Sequence, residues 1–127
     1  MEKILIDTDV IIDFLRGYDL RTKAFFLKIK NLEVKGCISL ISIIELYTGI
    51  EEENNRQEIN LKQLLSWLEI LPIDFNLSKL AGKLRRKYRL SITDSIIAAT
   101  SSYFKIKLFT FNIRHFQKVQ ELTFYLK

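Results

Sequence analysis

Five short runs rich in branched and aromatic residues recur along the chain: Lys3 to Asp7 (KILID), Gly36 to Ser39 (GCIS), Glu69 to Ile73 (EILPI), Leu108 to Phe111 (LFTF) and Leu122 to Leu126 (LTFYL). Most are too apolar for a sheet with one wet face, so they read as strands covered on both sides, the usual setting of a parallel sheet. Between them, Val10 to Arg16, Arg21 to Leu32, Ile43 to Glu53, Glu58 to Trp67, Leu77 to Tyr88 and Asp94 to Phe104 repeat apolar residues at three- and four-residue steps and read as helices. Parallel strands need crossovers, and helices supply them. The expected architecture is a three-layer α/β/α sandwich with a parallel sheet of about five strands.

A length of 127 residues suits one domain, and 48% apolar with 28% charged residues is a globular composition. The polar stretch Glu51 to Glu58 fits a bend between two helices, so residues 1–127 are expected to form a single domain. One cysteine, Cys37, excludes an internal disulfide framework, and one histidine, His115, excludes a zinc site of several Cys and His ligands. Any metal must therefore use oxygen donors. Asp7 and Asp9 interrupt the apolar N-terminus, which argues against a signal peptide or a membrane span and for a cytoplasmic protein.

In an open parallel sheet, ligands collect beyond the carboxyl ends of the strands. Here those positions carry oxygen donors: Asp7 and Asp9 after the first strand, Glu45 after the second, Asp94 opening the helix before the fourth, and Thr110 and Asn112 after the fourth. Carboxylates gathered at one edge repel unless a cation offsets them. Mg²⁺ or Mn²⁺ suits such a donor set and supports phosphodiester hydrolysis. Ser42 to Glu45 and Ser91 to Asp94 also have the form of capping boxes, a purely structural alternative. Both acids lie in strongly apolar runs, where burial is expected and an acid needs a partner. Asp13 reads as a surface residue, Cys37 and Trp67 as core, and His115 as a surface or RNA-facing side chain.

The net charge of +5 is unevenly placed, with residues 1–63 at −2 and residues 64–127 at +7. Its densest part, Lys79 to Arg89, is an amphipathic helix with a cationic outer face. A solvated helix surface has the same pattern; a polyanionic partner is the functional reading.

The runs ILIDTDVIIDFLRG, ISLISIIELYTGI and LPIDFNLSKLAGKLRRKYRLSITDSIIAATSSYFKIKLFTFNIRHF together closely resemble PIN-domain ribonucleases, especially the VapC toxins of toxin–antitoxin systems. The resemblance is carried by the strand-end Asp7-Thr8, Glu45 to Gly49, Thr93 to Ala99 and Thr110 to Phe116. It implies a sheet of order 3-2-1-4-5, Mg²⁺- or Mn²⁺-dependent endonucleolytic cleavage of RNA, a homodimer and a small cognate antitoxin. Carried over by position, the resemblance places Asp7, Glu45 and Asp94 on the family's acids, with Asp7 and Asp94 as direct metal ligands and Glu45 as a further ligand or water-orienting group. Asn112 occupies a fourth catalytic position that is often Asp, where it adds no charge for a second ion. Thr110 would position the metal-bound water or a phosphate, Asp9 would contribute from behind the ligands, and Lys83, Arg86, Lys87, Arg114 and Arg16 would meet the RNA backbone.

Two rivals share part of this pattern. A phosphoacceptor receiver domain would use Asp7, Asp9, Asp74 and Thr110, but lacks a lysine after the last strand other than Lys127. A haloacid-dehalogenase-like phosphatase would use Asp7-Thr8-Asp9, but Ile11 stands where Thr or Val is expected.

Overall fold

The computed structural model describes residues 1–51 and 55–126. Its elements run β1 (Glu2–Ile6), α1 (Thr8–Arg16), α2 (Leu20–Lys30), β2 (Val34–Ser39), α3 (Leu40–Thr48), α4 (Asn55–Leu65), β3 (Glu69–Leu71), α5 (Phe75–Tyr88), α6 (Ile92–Phe104), β4 (Lys107–Phe109) and α7 (Ile113–Phe116). The strands are parallel, in the order β3-β2-β1-β4. The helix expected over Ile43 to Glu53 instead ends at Thr48, where the Gly49 amide closes onto carbonyls of the last turn, and part of the expected bend at Glu51 to Glu58 lies outside the described residues.

Alternation along the strands separates two cores. Ile4 and Ile6 join Val10, Phe25, Phe26 and Leu61 on the face covered by α1 to α4, whereas Leu5 and Cys37 join Leu77, Leu84, Ile97 and Ala98 under α5 and α6. Gly36 sits where β2 meets the first of these layers. A Cβ there would come within 2.7 Å of the Ile29 and Leu68 terminal methyls, so any larger residue requires those packed side chains to shift.

The expected fifth strand is not formed. Residues 122–126 make a single bridge, Leu108 to Phe124, with Leu108 donating to Thr123 and accepting from Tyr125, each at 2.9 Å. The reason is the length of β4. A three-residue edge strand turns the backbone groups of only its middle residue outward, so the ladder cannot extend. The short helix α7 was also not expected from the periodicity.

The strand order bears on function. In a receiver-type sheet the first strand lies between the second and third, whereas here β1 lies between β2 and β4. Asp74, the acceptor in that alternative, instead caps α5, accepting from the Leu77 amide at 2.8 Å. The chain moves outward from β1 through β2 to β3 and then crosses back to β4. Its topological switch point is therefore at the carboxyl ends of β1 and β4, the place where open α/β sheets bind ligands.

Candidate active site

Asp7 ends β1 and caps α1 at the switch point. One oxygen, Oδ1, accepts from the Thr8 amide at 2.8 Å, while Oδ2 accepts from the Thr110 hydroxyl at 2.8 Å. The Asp7 amide donates to the Phe109 carbonyl at 2.9 Å, and the Thr110 hydroxyl oxygen accepts from the Asn112 amide at 2.9 Å. Thr110, itself buried, therefore spends its hydroxyl proton on a carboxylate oxygen. In the first turn of α1, Asp9 Oδ2 accepts from the Phe111 amide at 3.2 Å, and Asp9 Oδ1 is buried without a hydrogen-bond partner among the described residues.

Burial, more than any neighbour, pushes the Asp7 pKa up to about 7, and the adjacent Asp9 carboxylate adds to the shift against the bonds from Thr110 and Thr8. Burial also raises the Asp9 pKa above the ordinary value, partly offset by its bond from Phe111. The charge of Asp94 raises both. Three acids from β1, α1 and α6 thus share one field.

The two capping boxes resolve differently. Ser91 does cap α6, its hydroxyl oxygen accepting from the Asp94 amide at 3.1 Å, but the Asp94 carboxylate faces His115 Nδ1 at 3.5 Å. Ser42 caps nothing, since α3 begins at Leu40 with Ser39 as its cap. Ser42 is buried inside the helix, with its hydroxyl 2.8 Å from Thr8 Oγ1, which lies 2.7 Å from Glu45 Oε1. Thr8 has one hydroxyl proton, so it donates to the carboxylate and accepts from Ser42. The expected burial of Glu45 is overturned: the side chain is exposed. In α3 only Ser42 and Leu46, four apart, are buried, while Leu40, Ile44 and Tyr47 face outward, so the apolar run around Glu45 is not one covered face. A hydrogen bond, rather than burial, fixes Glu45.

His115 is the residue that sequence reasoning undervalued. It is exposed, as expected, yet its Nδ1 lies 2.9 Å from Asn112 Nδ2 as well as beside Asp94, joining two candidate site residues. The available signal was its position three residues after Asn112, one helical turn away. Asp13, expected at the surface, accepts from the Asp19 amide and the Thr22 hydroxyl and so organises the turn between α1 and α2. Arg16 and Glu45 both line a cavity of about 220 Å³ between α1, α3 and α4, walled by Ile12, Leu15, Leu46 and Ile50. Arg114 is exposed on α7. On α5, Lys83 and Arg86 are exposed and form no ion pair among the described residues, whereas Lys87 pairs with Glu121 at 3.7 Å. The turn Arg89 to Ser91 joins this basic end of α5 to the start of α6, which carries Asp94.

Among the described residues, no three Asp, Glu, His or Cys side chains close tightly enough to enclose an ion by themselves. The donor set nevertheless fits a hard cation. Mg²⁺ is commonly held by one or two carboxylates and completes its shell with water and substrate oxygens. Asp7 and Asp94 offer such carboxylates, and the unsatisfied Asp9 Oδ1 together with the raised Asp7 pKa marks a site short of positive charge.

A PIN domain family model matches residues 4–122. Ribonuclease VapC1 of Methanocaldococcus jannaschii is 32% identical over 126 residues, covering 94% of this chain and 82% of that protein. Ribonuclease VapC10 of Mycobacterium tuberculosis is 29% identical over 124 residues, covering 94% and 90%. Among solved structures, VapBC2 from Rickettsia felis bound to a promoter DNA fragment superposes with a TM-score of 0.83 at 22% identity, covering 96% of each chain. A toxin–antitoxin complex from Klebsiella pneumoniae gives a TM-score of 0.75 at 28% identity, covering 94% and 95%. Taken with acids set at the switch point of a sheet ordered β3-β2-β1-β4, these likenesses show that the chain belongs to the PIN-domain family, alongside the VapC ribonucleases.

Proposed function

We propose that the protein is a divalent-metal-dependent endoribonuclease, the toxin of a type II toxin–antitoxin pair, acting as a single PIN domain in the cytoplasm. The observation that carries this reading is the pairing of Asp7 with Thr110 across the switch point, beside the Asp9 and Asp94 carboxylates whose charges act on it. Asp7 and Asp94 would hold Mg²⁺ or Mn²⁺. When bound, such an ion polarises a phosphoryl oxygen and lowers the pKa of a coordinated water. Thr110 fixes the orientation of Asp7 through Oδ2, and Thr8 holds Glu45 at the rim, where its carboxylate can orient an attacking water. Asn112, tied to His115, contributes a neutral oxygen donor. Lys83, Arg86, Arg114 and Arg16 would draw the RNA backbone toward a pocket that would otherwise repel phosphate.

The structural relatives are toxin–antitoxin complexes, and the groove between α1, α3 and α4 is the apolar surface this chain offers a cognate antitoxin. The outward stripe of Leu40, Ile44 and Tyr47 on α3 is the candidate homodimer face, and light scattering tests it. The deciding experiment incubates the purified protein with RNA and Mg²⁺, with EDTA as control. Cleavage that disappears in a folded Asp94→Asn variant is the expected result. Cleavage retained in that variant would overturn the site, and labelling by acetyl phosphate without RNA cleavage would return the receiver reading.

A further inference from the structure

Thr110, the hydrogen-bond partner of Asp7, also lines a second cavity, of about 130 Å³, together with Arg21, Phe109, Phe111, Ile113 and Leu126. At about 30 Å³ per water, it has room for roughly four. That is the scale of one nucleobase rather than a length of peptide. Its most distinctive wall is a cation–π pair: the Arg21 guanidinium lies over the Phe111 ring, 5.1 Å from the centroid. The plane is held in place. Arg21 Nη2 donates to Asp19 Oδ2 at 2.7 Å, and Nε shares both Asp19 oxygens at 3.2 Å. These contacts occupy one edge of the fork and leave both Nη1 hydrogens for another acceptor.

The wall and the acidic centre are coupled through the backbone. The Phe111 amide donates to Asp9 Oδ2, while the Thr110 hydroxyl donates to Asp7 Oδ2. Thr110 thus belongs both to the cavity wall and to the hydrogen-bonding shell of Asp7, so the cavity adjoins the acid at which the scissile phosphate would be held. RNA read as a single strand is bound by stacking splayed bases on aromatic rings and guanidinium planes.

We infer that the Arg21–Phe111–Thr110 cavity is a subsite for one unstacked nucleobase next to the scissile phosphate. The unused Nη1 donors favour bases with an acceptor edge, as the guanine O6 and N7 pair provides. The subsite rests on the ribonuclease reading and adds a determinant of which phosphodiester is cut.

The test separates base recognition from backbone attraction. In an Asp94→Asn background, fluorescence anisotropy compares a labelled single-stranded RNA with an abasic oligonucleotide of equal length and charge. The base-bearing strand should bind about fivefold tighter or more, as one base stacked on an aromatic side chain predicts. Phe111→Leu and Arg21→Lys should each pull that ratio toward one, because the first removes the ring and the second keeps the charge while removing the plane. Arg21 is exposed, so Arg21→Lys decides the matter even if Phe111→Leu does not fold. In the active protein, cleavage maps should show a base preference at one position beside the cut that both variants flatten. A ratio and a map unchanged by either substitution, in a protein that cleaves RNA, would overturn the subsite alone. A wild type that cleaves no RNA with Mg²⁺ or Mn²⁺ would overturn the ribonuclease reading and the subsite with it.

Discussion

Replacing Asp7 by Asn should make the metal-free protein more stable at about pH 8 and give no gain near pH 4. Burial holds the Asp7 carboxyl neutral up to a pKa of about 7, against an ordinary value of 3.8. At about 1.4 kcal/mol per pH unit, ionising Asp7 costs the folded state about 4 kcal/mol relative to its protonated form. Below about pH 4, both folded and unfolded chains carry the proton and the stability is intact. As the pH rises toward 7, the unfolded chain has released the proton while the folded chain keeps it, so stability falls. Above 7 the loss is complete. Asp9, shifted in the same direction by burial, steepens the slope. Asparagine has nearly the same shape, can still accept from the Thr8 amide, and does not titrate. Urea denaturation in EDTA at several pH values reads the effect as a difference: between about pH 4 and 8 the wild type should lose up to about 4 kcal/mol relative to Asp7→Asn, which keeps every other titrating group. Mg²⁺ at a hundredfold excess over Kd should then restore about 2.7 kcal/mol to the wild type at pH 8 and largely fail to do so in Asp7→Asn. A wild type whose pH dependence in EDTA matched that of Asp7→Asn would refute the reasoning, because it would mean that Asp7 ionises as freely in the folded chain as in the unfolded one.

Thr8→Val should remove the hydroxyl that Glu45 and Ser42 share, leave Ser42 buried without that partner, and cost about 1–3 kcal/mol by denaturant titration, with a fall in RNA cleavage as Glu45 is released. Replacing Lys83 and Arg86 by Gln should weaken RNA binding across sequences and flatten its salt dependence, while turnover at saturating RNA changes much less; an unchanged salt slope would mark the face as simply solvated. Gly36→Ala should destabilise by about 1–3 kcal/mol, because its methyl group would have to displace Ile29 and Leu68 in a packed layer. A melting curve matching that of the wild type would show that the layer relaxes freely.

The four strands, the crossover helices and the acids at the strand ends were legible because each rests on local pattern. Buried parallel strands must be apolar throughout, and Asp7, Asp94 and Thr110 stand where such strands end or a crossover begins. What was not legible depends on partners distant in the chain. Residues 122–126 have strand composition, but whether they pair is decided by β4, which is so short that Leu108 alone turns its backbone outward. Nothing around His115 announces that α7 will carry it to Asp94, more than twenty residues earlier in the sequence.

The misjudged burial of Glu45 has a different cause. An apolar residue in a sequence reports that a side chain would gain from leaving water, but not which surface covers it. In α3 that demand is met inward at Leu46 and left open at Ile44, which is 61% exposed, while on α1 Leu15 remains 42% exposed beside the groove that reaches Glu45. Such side chains at the edge of a charged site gain little on folding and keep their apolar area available for burial by a partner. The same residues become favourable once an apolar partner covers them. An antitoxin seated in this groove would remove Ile12 and Leu15 from water and enclose the Glu45 carboxylate, so that binding energy and occlusion of the candidate active-site rim would come from one surface.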